Sequence, residues 1–418
     1  MVDDGTARVT AYNRSIFLVS TLITGAIAGA CIWAILFVMN TGISLIWDRI
    51  PVYLGSFYPV IVCTVGGVII GLFARRFGDY PETLPTVMAK VKEEGRYGYD
   101  KLGVMSAGAV LPLVFGGSVG PEAGLTGVIA ALCTWVSDRF RRFGRGLRGL
   151  TEVGVYATLS TIFTAPLYGF AGVATDGHEG DEDGIPKTMR ILTYVFAVAG
   201  ALLALMTLSH LFGGGMSMPR YTDVGYGTDE FLWLIPICFI GALGGWLFTV
   251  LDKVFHRISD ALDGRKVVKA TIGGLLLGLC GLVLPLTMFS GELQTEELDG
   301  MWMTLAPVTL LLIGFVKIAI TALCVNMGWR GGHFFPVIFA GISIGYGLSA
   351  IFSVDPVFSI CASTAAVVGG VMRKPLMAVL LLFLCFPLHS VLVLAVAAVI
   401  GSHMPLPKSV VSESMSHE

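Results

Sequence analysis

The chain has 418 residues, of which 55% are hydrophobic and 13% charged, with a formal net charge of −2. Soluble domains carry charge at about 25% of positions, so a soluble protein of this length lacks the material for a polar skin. The composition is that of a polytopic membrane protein, surrounded by lipid, with no nucleic-acid partner.

Apolar runs follow one another near residues 15–39, 52–74, 102–137, 152–175, 188–212, 230–252, 268–288, 303–325, 334–352, 357–371 and 373–403. The first is longer than the ~7–15 residues of a signal-peptide core and reads as a first span that stays in the membrane. Several others are too short, or too interrupted by Gly and Pro, to cross ~30 Å of hydrocarbon as one regular helix. Basic residues collect in connectors, above all Arg139, Arg141, Arg142, Arg145 and Arg148, which the positive-inside rule puts in the cytoplasm. The acidic run 176–183 has no ordered ligand spacing and predicts no metal site. The eight cysteines lie in or beside apolar runs without C-x-x-C pairing, so neither a metal centre nor a disulfide framework is expected. No cofactor is implied.

The interruptions repeat. Gly117-Ser118-Val119-Gly120-Pro121 is followed 45 residues later by Pro166 in Ala-Pro-Leu, and Gly332-His333-Phe334-Phe335-Pro336 is followed 39 residues later by Pro375 in Lys-Pro-Leu. Paired broken segments of this kind mark transport proteins built from two inverted repeats, with their sites at the repeat interface. The expected division is an N-terminal tail (1–14), a first membrane repeat (15–212), a linker (213–229), a second repeat (230–405) and a C-terminal tail (406–418).

Proline is favoured at the first position of a helix, and glycine permits the turn that leads there. Pro121 and Pro336 are therefore each expected to open a helix in mid-membrane. The first N–H groups of such a helix have no intrahelical partner and carry the positive end of the dipole, which suits them to an anion. The amides of Ser118, Val119 and Gly120, and of Gly332, His333 and Phe334, are the predicted anion-binding set. Glu122, directly after Pro121, admits two roles: a carboxylate favoured in the first helical turn, or an intramembrane acid acting as a gate or proton carrier. Arg330, Arg373 and Lys374 read as snorkelling or pore-mouth cations. The stretch 116–120 also fits G-x-S-x-G, but the strand-turn-helix setting and reachable histidine of a hydrolase are missing, and no enzymatic activity is expected.

These motifs, in this order and spacing, resemble the CLC chloride channel and transporter family over residues 55–405. Residues 117–121 resemble the family's G-[KR]-E-G-P, and residues 332–336 its G-x-F-x-P. "FTAPLYG", "RKPLMA" and the lysine-bearing "VKIAITAL" resemble three further family segments. The resemblance implies an all-α fold of two inverted, re-entrant halves, a homodimer with one pathway per subunit, a multi-pass position in the cell membrane, and chloride or another small anion as cargo. It also exposes departures. The family's gating glutamate is Val119 here, Glu82 in "PETLP" stands where an anion-facing serine is expected, and Asp176 falls where proton-coupled members have an internal glutamate. With no carboxylate at position 119, passive chloride conduction is the leading expectation. A proton-coupled chloride or fluoride antiporter would need Glu122, Glu82 or Asp176 as substitute acid, and a charged Glu82 at the anion site, which would repel an anion, argues for a non-halide cargo.

Overall fold

Glycine and proline set where the helices stop. The computed structural model describes residues 3–49, 55–140, 148–163, 165–175, 187–215, 218–262 and 264–406; Asp176, the rest of the acidic run, residues 141–147 of the arginine connector and the tail from 407 lie outside them. Within the described residues the chain is all-α: α1 (Asp3–Trp47), α2 (Tyr58–Phe77), α3 (Leu84–Glu94), α4 (Leu102–Val114), α5 (Glu122–Phe140), α6 (Arg148–Ile162), α7 (Pro166–Thr175), α8 (Lys187–Phe212), α9 (Thr228–Ala261), α10 (Lys266–Val283), α11 (Glu292–Met301), α12 (Pro307–Asn326), α13 (Phe334–Phe352), α14 (Pro356–Met372), α15 (Pro375–Leu382) and α16 (Val391–Ser402). Seven of these are long and apolar enough to cross a membrane. α4, with 13 residues, reaches only ~20 Å at 1.5 Å per residue, well short of the ~30 Å hydrocarbon core.

The predicted breaks fall where expected. α4 ends at Val114 and α5 begins at Glu122, one residue beyond Pro121; α7 and α15 start on Pro166 and Pro375 themselves. α13 starts two residues earlier than Pro336, at Phe334. α3 and α11 were not anticipated, because both are polar and leave no apolar run in the sequence.

The described residues form two compact units, each discontinuous in sequence. The first comprises residues 1–40, 82–106 and 125–217. Here α6, α7 and α8 enclose a core of Val153, Tyr156, Ala157, Val173, Tyr194, Ala197 and Val198. The Tyr194 hydroxyl meets Ser160 Oγ at 2.7 Å and donates to the Pro166 carbonyl, tying down the break before α7. α1 lies directly on α8: a Cβ on Gly25 or Gly29 would come within 2.1 or 2.2 Å of the Ala197 or Ala201 carbonyl oxygen. Small residues bringing backbones together are the usual means of packing helices in lipid.

The second unit comprises residues 41–81, 107–124 and 218–418. α2 and α10 run antiparallel through glycine contacts, Gly67 against Ala270, Gly71 against Val267, and Gly274 against Cys63. α13 is buried along Phe335–Ser349, as a helix apolar on all sides should be. Gly341 and Gly345 let α14 approach it at Thr364 and Ile360. The eight cysteines are all free thiols.

Candidate functional site

The glycine-rich break before α5 and the one before α13 are hydrogen-bonded to each other. Gly120 N–H donates to the Gly332 carbonyl at 2.7 Å, and Gly332 N–H donates back to Gly120 at 2.7 Å, an isolated antiparallel bridge. Gly116, at φ +87°, turns the chain out of α4, and Gly117 N–H returns to the Pro112 carbonyl at 2.7 Å. Only glycine adopts such a positive φ without strain. Two segments 212 positions apart are thus locked together, which places the start of α5 against the start of α13.

The Glu122 carboxylate fills the junction. It is 1% exposed, and its Oε1 accepts the Phe334 N–H at 2.8 Å. The backbone N–H groups of Glu122 itself and of Phe335 also point at the carboxylate. The carboxyl group therefore lies at the positive ends of two helices at once, where each helix end stabilises an anion by ~0.3–1 kcal/mol and more in buried settings. The glycines make the room: a Cβ on Gly120 would lie 1.9 Å from Oε2, and one on Gly332 would lie 2.0 Å from Oε1.

The remaining predicted residues are placed as follows. Val119 N–H donates to the Gly117 carbonyl at 2.8 Å, and the Val119 side chain is fully buried against Gly331. Ser118 is fully buried, with Oγ 3.0 Å from Thr321 Oγ1, and its N–H faces the Cys324 sulfur. The amides of Ser118, Val119 and Gly120 are thus engaged within the protein, and those of Phe334 and Phe335 are engaged by Glu122. His333 precedes the first turn of α13, its ring 5.2 Å from that of Phe248 and 4.6 Å from that of Phe334.

Glu82 belongs to the other unit. Its carboxylate accepts Lys90 Nζ at 2.6 and 2.8 Å and the Tyr97 hydroxyl at 3.1 Å, so its charge is compensated locally. Arg330 and Lys266 share Asp79, at 3.6 and 2.9 Å. Arg373 Nη1 donates to the Ser402 carbonyl at 3.0 Å and to Met404 at 2.5 Å. Sequence reasoning missed Thr321 and Trp329. Trp329 is fully buried with Nε1 donating to the Ala270 carbonyl at 2.9 Å. Thr321 carried one signal, since it lies one helical turn beyond Lys317 on the same face of α12.

The family model described as Voltage gated chloride channel matches residues 66–405. "Putative ion-transport protein YfeO" of Salmonella choleraesuis (strain SC-B67) is 26% identical over 378 residues, covering 86% of each chain. The protein of that description from Salmonella newport (strain SL254) gives the same values. Among solved structures, a CLC-type fluoride/proton antiporter aligns with a TM-score of 0.73 at 18% identity, covering 93% of this chain and 95% of that one. A slow cyanobacterial Cl−/H+ antiporter aligns with a TM-score of 0.74 at 19% identity, covering 96% and 97%. At these identities the structural likeness speaks for the fold.

Proposed function

The chain belongs to the voltage gated chloride channel family, and we propose that it carries a small inorganic anion, chloride by default, along a path that the Glu122 carboxylate must vacate. One observation carries this reading: Oε1 of Glu122 takes the Phe334 N–H at 2.8 Å in a niche that exists only because residues 120 and 332 are glycines. A carboxylate is a tethered anion, and donors that hold it can hold a free one. Entry of the cargo requires Glu122 to leave, either by competition or by taking a proton and losing its charge-assisted hydrogen bonds. Where protonation is the route, anion movement is tied to protons, with Glu122 acting from the first turn of α5 in place of the glutamate missing at Val119.

Passive conduction is the second reading, and Val119 favours it: the buried valine against Gly331 offers no carboxylate at the family's gating position. In that case Glu122 is a fixed cap of both helices. The argument for a non-halide cargo loses its support, since Lys90 compensates Glu82. The homodimer with one pathway per subunit, and the division into repeats at 15–212 and 230–405, belong to this proposal through the family. The reading is tested by loading proteoliposomes with chloride or fluoride and recording efflux with valinomycin and potassium carrying the countercharge. Efflux no faster than from protein-free liposomes, for both anions, would reject it.

A further inference from the structure

One buried charge has no part in the transport scheme above. Lys317, on α12, is 0% exposed. Its Nζ donates to three successive carbonyls, Thr287 at 3.2 Å, Met288 at 2.8 Å and Phe289 at 2.7 Å, and lies 5.2 Å above the Phe339 ring. Among the described residues no carboxylate pairs with it. The three carbonyls satisfy the hydrogen-bonding capacity of the ammonium, but they are dipoles and leave its unit charge uncancelled. A neutral donor would serve the turn as well at far lower desolvation cost. A buried ammonium held only by dipoles is one that a nearby anion would stabilise.

The connections from Lys317 lead to the anion donors. One turn along α12, Thr321 reaches Ser118, two residues before the Gly120–Gly332 bridge. On its other side, Phe289 N–H donates to the Gly116 carbonyl at 3.1 Å. Gly291, at the end of the same turn, packs on Phe339 in the second turn of α13. The ammonium thus lies beside a turn bonded to the first broken segment and packed on α13, and one α12 turn from the Thr321–Ser118 contact.

We propose that Lys317 is the resident counter-charge of the anion site. In the state described here it balances Glu122; when Glu122 leaves or is protonated, the transported anion takes over as its partner. The inference rests on the anion-transport reading and adds to it the group that sets anion affinity. Lys317 does not touch the cargo and acts through space, so it is a positioning charge. With an effective dielectric constant of ~20, a unit charge at ~10 Å changes anion affinity roughly tenfold.

The test separates the charge from the hydrogen bonds. Lys317→Gln keeps donors for the turn and deletes the charge, whereas Lys317→Met deletes both. Full-length protein in proteoliposomes is assayed for the chloride concentration that gives half-maximal uptake. The expected result is a roughly tenfold rise in that concentration for Lys317→Gln and for Lys317→Met. Wild-type half-saturation in a folded Lys317→Gln overturns the proposal and leaves a purely structural lysine. If Lys317→Gln does not fold, the double variant Lys317→Gln/Glu122→Gln decides. Recovery of folding supports the charge pairing, and equal failure of both variants overturns it. Wild-type protein that moves neither chloride nor fluoride rejects the transport reading itself, and this inference with it, whereas an unchanged half-saturation in an active Lys317→Gln rejects this inference alone.

Discussion

Glu122 and Phe334 stand 212 residues apart in the chain and share a hydrogen bond of 2.8 Å, carboxylate oxygen to backbone N–H. The bond joins the first residue of α5 to the first residue of α13. Neither helix start is an open anion site in this state, because the chain's own Glu122 carboxyl group already occupies the junction.

Removing only the charge should release that occupant. Hydrogen bonds to an ionised group contribute ~1.5–3 kcal/mol against ~0.5–1.5 for neutral pairs, so Glu122→Gln should loosen the side chain about tenfold. Chloride efflux at pH 7 is expected to rise several-fold, and the increase that wild type shows on acidification should vanish. Efflux assays at pH 5 and pH 7 check both points. Wild-type behaviour at both values would leave Glu122 a helix cap and nothing more.

The two glycines beside the carboxylate make a steric prediction. An alanine at 332 would bring Cβ to 2.0 Å from Oε1, and one at 120 to 1.9 Å from Oε2. Overpacking of this kind costs ~1–3 kcal/mol. Gly332→Ala should lower thermal stability and flux together, and Glu122→Ala in the same chain should restore the stability by removing the opposing atoms. A Gly332→Ala protein as stable and active as wild type would show that the niche accommodates a methyl group and that the carboxylate is not confined there.

Ser118 and Thr321 form a contact between the first break and α12, with hydroxyls 3.0 Å apart and both residues fully buried. Thr321 Oγ1 also donates to the Lys317 carbonyl at 2.8 Å, so Thr321→Val strands Ser118 Oγ, at ~1–3 kcal/mol for a buried unsatisfied group, whereas Ser118→Ala leaves Thr321 bonded. Thr321→Val should destabilise by about 1 kcal/mol or more and Ser118→Ala by less, and the double variant by less than their sum. Denaturation of the three variants in one detergent gives the coupling energy, and strict additivity would mean the hydroxyls do not interact.

How much of this was legible in the sequence depended on range. Pro121, Pro166 and Pro375 marked helix starts because proline and glycine act on the backbone within a residue or two. The membrane class followed from composition, and the all-α fold from the resemblance that the motifs carry. α3 and α11 escaped notice because polar helices have no apolar run to announce them. The choice between capping and gating for Glu122 could not be made, since its partners Phe334 and Phe335 are set by tertiary packing through the Gly120–Gly332 bridge. Likewise, Glu82 looked like an uncompensated acid until folding placed Lys90 and Tyr97 around it. Local chemistry gave the breaks; only the fold gave their occupants.

The choice between exchange and conduction rests on whether Glu122 carries a proton as it moves. Val119 cannot, and it is packed against Gly331 with no exposure. Glu122 occupies the Phe334 amide proposed for the cargo, so each entry of chloride should be accompanied by neutralisation or displacement of Glu122. If neutralisation is the route, a chloride gradient should drive protons against their own gradient. Proteoliposomes with the voltage clamped by valinomycin and potassium, and with an internal pH dye, report this directly. The expected outcome is chloride-driven proton movement in wild type that is abolished in Glu122→Gln while chloride still flows. Chloride flux with no proton movement in wild type would show that Glu122 is displaced as a carboxylate without being protonated, and the protein would be a passive conductor.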